Sequence, residues 1–186
     1  FAFLAISIAL FGLGAGGVFS YVVVGSGAAR GGTLYSKLGV LGLANAACVI
    51  GSLWFILSRP TELGYATLAA VYLASALPFF LAGTVVSIAI SEAIERVDRA
   101  YFFDLAGAAA GCLVLIPFLN TFGGPNTVIA AGVFYAVAAA IWFHNAGSAR
   151  MRAAAVAGAL LLVMLMVING RKHVLDVRVS KGMTLP

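Results

Sequence analysis

From Phe1 to Ile168 the chain reads as six long apolar stretches separated by short polar gaps, and Asp104 is the one charge set well inside a stretch. A bilayer core of about 30 Å takes roughly 20 apolar residues per helical crossing. The pattern predicts helices over about 1–24, 38–57, 63–90, 101–120, 127–143 and 153–168. The third is longer than a perpendicular crossing needs, which predicts tilt or a kink at Pro78. The gaps carry chain breakers: Gly31-Gly32, Arg59-Pro60 and Gly123-Gly124-Pro125. Because the apolar runs are continuous rather than alternating, they exclude an outer-membrane β-barrel. The expected fold is all-α, a polytopic transmembrane bundle of about six spanning helices over residues 1–170, with a basic tail at 171–186. No internal repeat suits an inverted-repeat transporter.

Composition places the bundle in a membrane. Hydrophobic residues make up 63% of the chain, charged residues 9%, and the mean hydropathy is +1.10. Soluble domains carry about 25% charged residues. The 22 glycines fit close helix packing rather than disorder. The net charge of +5 comes from loops and tail, without the clustered cations and interleaved aromatics of a nucleic-acid face. Arg171, Lys172, Arg178 and Lys181 read as a stop-transfer anchor at the headgroups. The expected environment is a bacterial inner membrane, with the lipid bilayer as first partner.

Orientation is balanced. The gaps after the first, third and fifth stretches hold Arg30, Lys37, Arg96, Arg99, Arg150 and Arg152, and the other side holds Arg59 and the tail cations. Short-loop counting puts the first set in the cytoplasm, and the tail nearly cancels that bias. The chain opens at Phe1 inside an apolar run, without a charged leader or cleavage site, and stops at Pro186. It reads as an excerpt of a longer protein.

Asp104 is the sharpest candidate for chemistry. A carboxylate in the apolar zone costs about 2.5–3.5 kcal/mol on insertion scales and usually has a partner. It could be a proton or cation site, or an interfacial lock onto Arg99 or another helix-end cation. The run Ser91–Arg99 sets Glu92 against Arg96 and Glu95 against Arg99 at i,i+4, which predicts a short interfacial helix rather than a catalytic carboxylate pair. Gly12-Leu13-Gly14-Ala15-Gly16-Gly17 follows no strand and lacks phosphate-loop spacing. Gly12 with Gly16, and Gly107 with Gly111, instead form G-x-x-x-G faces for helix packing. Cys48 and Cys112 read as small packing residues, and Asn45 and Asn120 as interhelical hydrogen bonders. His144 and His173 stand alone, without metal-ligand spacing. No metal or cofactor is expected.

Three stretches together resemble a known family. They are Phe1–Ser7 running into Gly12–Gly17, then Ala76–Gly83, then Tyr101–Cys112 closing with Ile116-Pro117. They resemble the membrane domain of predicted membrane-bound spermidine-synthase-like proteins, in which a hydrophobic domain precedes a polyamine aminopropyltransferase-type domain. The tail Val177–Met183 looks like the run leading into that soluble domain. The resemblance implies an anchor without a catalytic site of its own. The implied enzyme domain would use decarboxylated S-adenosylmethionine and a diamine. It also implies a further helix before Phe1. It assigns Asp104 and its glycine-rich surroundings to the domain's signature, with no chemical role. The other readings open at this point are a structural subunit of a larger membrane complex, contacting other chains through its glycine faces, and a small-solute transporter module with Asp104 in its pathway.

Overall fold

The computed structural model describes residues 2–25, 32–58, 64–92, 97–172 and 175. Among them every regular element is helical: α1 (Ala2–Gly25), α2 (Gly32–Leu57), α3 (Tyr65–Glu92), α4 (Val97–Asn145) and α5 (Ala149–Lys172). All five are long and apolar enough to cross a membrane, as an integral membrane protein requires. The basic tail past Lys172 except Leu175, the stretch 93–96 of the expected interfacial helix, and the breakers Gly31 and Arg59-Pro60 lie outside the described residues.

Five helices stand where six were expected. The Gly123-Gly124-Pro125 breaker opens no loop, and the fourth and fifth expected helices are one 49-residue element bent at Gly123. At about 1.5 Å per residue a straight helix of that length would reach about 73 Å, more than twice a bilayer core. Gly123 turns the chain with φ 76° and ψ 169°, a conformation that glycine alone adopts without strain. Pro125 has no N–H to leave unpaired and starts the second arm, whose first turn is closed by Thr127 Oγ1 donating to the Gly123 carbonyl at 2.8 Å. The first arm of α4 spans 97–122 and the second 124–145.

Other boundaries shift less. α2 starts at Gly32 rather than near 38, because Leu34 and Leu38 are buried against Ile88 of α3 and Tyr35 stacks on Trp142 with ring centroids 5.8 Å apart. α3 runs unbroken through Pro78. The turn after α4 closes with Gly147 at φ 71°: its N–H donates to the His144 carbonyl and the Ser148 N–H to the Phe143 carbonyl, both at 3.1 Å. This double closure lets α5 start within four residues of the end of α4.

The two largest packings skip a chain neighbour. α1 lies on α3, α2 on α3 and α4, and α5 on α4. Two small-residue clusters hold the second arm: Ala46, Ala136 and Ala159 meet in one, and Phe143, Ala139 and Ala155 in the other. Phe143 fills a slot that exists because residue 39 is glycine; a Cβ there would sit 2.7 Å from its ring. The first arm takes no part in this core. From Tyr101 to Gly124 every residue is exposed except Phe118, which is half-buried.

Candidate functional site

The candidate site is built from the first arm. Asp104, Gly111 and Phe118 repeat every seven residues and so share one helix face, with Gly107 one turn beyond Asp104. That face looks toward the second arm. Gly107, Gly111, Val114 and Phe118 line a cleft of about 480 Å³ together with Ala130 and Phe134 of the second arm. The walls are apolar. The one hydroxyl on them, Thr127, is already spent on the Gly123 carbonyl. Such a cleft can receive a hydrophobic chain or helix but offers no acid, base or nucleophile.

Asp104 lies on the same face at the rim. It is exposed, and among the described residues no side chain pairs with it, Arg99 included. Its end of the molecule is fixed by packing. The Tyr35–Trp142 stack and the Leu34, Leu38 and Ile88 cluster bring together the start of α2 and the ends of α3 and α4. α4 begins shortly after α3 ends, and α5 shortly after α4 ends. Asp104 therefore shares an end with Lys37, Arg99, His144, Arg150 and Arg152. There Arg152 Nη1 donates to His144 Nδ1 at 2.8 Å, and the exposed Arg150 has no partner among the described residues.

The two glycine pairs have different surroundings. A Cβ on Gly12 would come within 2.6 Å of the Ala76 carbonyl, and one on Gly16 would collide with the Phe80 carbonyl. Gly83 answers from α3, where a Cβ would strike the Leu13 carbonyl. These three glycines let α1 and α3 touch backbone to backbone, and Thr84 Oγ1 donates across the contact to the Gly16 carbonyl at 3.1 Å. Around Gly107 and Gly111 there is no atom within 4 Å of the position a Cβ would take, apart from their own helix.

The polar residues divide similarly. Asn120 is exposed on the first arm. Asn45 is wholly buried at the middle of α2, and its amide lies beside Tyr135 without completing a hydrogen bond. The bonds expected of Asn45 and Asn120 are made by another pair, which the sequence reading missed. Asn169 Nδ2 donates to Asn126 Oδ1 at 2.7 Å, and Asn169 Oδ1 accepts the Leu175 N–H at 2.5 Å. The signal was present: an asparagine opens one apolar run and another closes the next. Cys48 is half-buried and Cys112 exposed, and neither forms a disulfide. No three His, Cys, Asp or Glu side chains among the described residues gather as a metal site would need.

No protein-family model, curated protein or solved structure matches the chain.

Proposed function

We propose that this chain is the membrane-spanning part of a spermidine-synthase-like protein, an anchor in a bacterial inner membrane with no catalytic site of its own. In this reading the two arms of α4 cross separately, for six crossings in all. One observation carries it. Two of the stretches on which the resemblance rests are packed on each other, Gly12 and Gly16 of the first against Ala76 and Phe80 of the second, and Leu13 against Gly83. The third stretch, Tyr101–Cys112, forms the exposed first arm. The residues of the first two stretches thus serve assembly of helices, as an anchoring domain requires.

The test is intact mass and peptide mapping of the native protein past Pro186, followed by an aminopropyl-transfer assay from decarboxylated S-adenosylmethionine to a diamine. A methyltransferase-like sequence beyond Pro186 supports the reading. A native chain ending there overturns it and leaves the structural-subunit reading, which the bare first arm favours. The transporter reading needs its carboxylate on an interior path, whereas Asp104 lies on the outside of the helical core.

A further inference from the structure

We infer that the crevice between the second arm of α4 and α5 is a binding site for one anionic phospholipid. The phosphate sits at the α4–α5 turn against Arg152, and one acyl chain runs down the apolar furrow below it.

Shape is the first argument. Two cavities lie along this one helix pair. The outer, of about 210 Å³, has Phe143, His144, Ser148 and Arg152 in its lining. The inner, of about 360 Å³, is wholly apolar and runs between Val137 and Ile141 of the second arm and Val156 and Leu160 of α5. They are two parts of one furrow. On the second arm Val137, Ile141 and His144 are spaced i, i+4, i+7, and on α5 Arg152, Val156 and Leu160 are spaced i, i+4, i+8. Each wall is therefore a single helix face, polar at the mouth and apolar below. From Arg152 to Val163 the α5 wall extends about 17 Å at about 1.5 Å per residue. That is close to the depth of one leaflet of a core about 30 Å thick. A furrow of that form fits a charged head with a hydrocarbon chain.

Charge is the second, and it makes the head an anion. A guanidinium carries five N–H donors, of which Arg152 gives one to His144 Nδ1 at 2.8 Å. The Ser148 hydroxyl has no partner among the described residues. The mouth thus presents donors and no carboxylate. No Asp or Glu occurs between Asp104 and Asp176, so neither helix of the pair carries one. α2, packed on the second arm, brings Lys37, a further cation. Asp98 and Asp104 of the first arm form no ion pair with Arg152 among the described residues. Phosphate oxygens accept from such donors in charge-assisted hydrogen bonds. An ammonium headgroup would find no carboxylate there, which favours a lipid without a cation of its own. Trp142, next in the chain to Phe143 of the mouth, stacks on Tyr35. Aromatic residues of this kind gather at headgroup level, where basic pockets between spanning helices meet lipid phosphate.

The inference needs only that the chain lies in a bilayer, and it stands whether or not a soluble domain follows Pro186. The test titrates the full-length protein in detergent with phosphatidylglycerol or phosphatidylcholine and counts bound lipid by native mass spectrometry. One phosphatidylglycerol per chain is expected, held about tenfold more tightly than phosphatidylcholine, and excess inorganic phosphate should not displace it. Arg152→Gln should weaken that binding about tenfold. Arg171→Gln, which removes the same charge at the other end of the molecule, should leave it unchanged. Val156→Phe fills the furrow from an exposed position and should also weaken binding. Unfolding midpoints equal to wild type without lipid show that the variants fold, and the wild-type contrasts decide the matter without any variant. Equal affinity for the two lipids overturns the inference. So do equal losses in Arg152→Gln and Arg171→Gln, the mark of general charge attraction. Displacement by inorganic phosphate, or full binding by Val156→Phe, overturns it in favour of a soluble-anion site.

Discussion

Gly16 shows how much one side chain can decide. Its α-carbon faces the Phe80 carbonyl so closely that even a methyl group collides with backbone, which cannot rotate away. Gly16→Ala should therefore force α1 off α3 and cost about 1–3 kcal/mol by overpacking, read as a lowered unfolding midpoint in detergent. Gly111→Ala meets open space and should leave that midpoint unchanged. Asn45 tests the opposite sign. Its buried amide is unsatisfied, and such groups carry a desolvation cost of about 1–3 kcal/mol. Asn45→Val should be neutral or stabilising in the same assay. A clear loss of stability would show that the amide has a partner, such as water shared with Tyr135. The G-x-x-x-G spacing of 12 and 16 was legible in the sequence, but Gly83 was not. It lies alone in its helix and acquires its role only when α1 is laid against it.

At the scale of elements, the two arms of α4 behave as separate helices joined by one glycine. Substituting Gly123→Ala imposes a Cβ on a positive φ with extended ψ, costing about 1–3 kcal/mol if the bend is kept. The expected outcome is a wider cleft, measured as a lengthened distance between spin labels at Leu115 and Val128. An unchanged distance with unchanged stability would mean that the bend does not depend on glycine. Beside the bend, the end of α5 is tied down by Asn169, which joins Asn126 to the backbone of Leu175. Membrane hydrogen bonds of this kind contribute about 0.6–1.7 kcal/mol. Asn169→Ala should cost about that much and speed hydrogen exchange at the Leu175 amide, while Asn120→Ala, exposed on the first arm, should change neither.

At the scale of the whole molecule, the helices place Lys37, Arg99, Arg150 and Arg152 at one end, and Arg171 and Lys172 at the other. Counted over the short loops alone, the positive-inside rule predicts the first group in the cytoplasm, against the opposing charge of Arg59 and the tail. In a background with Cys48 and Cys112 replaced by serine, Ser148→Cys should resist an impermeant maleimide added outside intact cells, and Phe122→Cys should react. The reverse labelling would invert the topology.

The sequence by itself determined the class, the helical state and most helix positions, because bilayer insertion is a sum over local apolar runs and backbone hydrogen bonds that each helix satisfies internally. It also marked Asp104 and both glycine pairs. Which glycines meet a backbone, that α4 bends without breaking, and that the Asp104 arm stands clear of the core were decided only by the tertiary structure. Those outcomes depend on atoms far apart in the chain. A glycine, an asparagine or a carboxylate has the same local signature whether its helix face ends against another helix or against lipid.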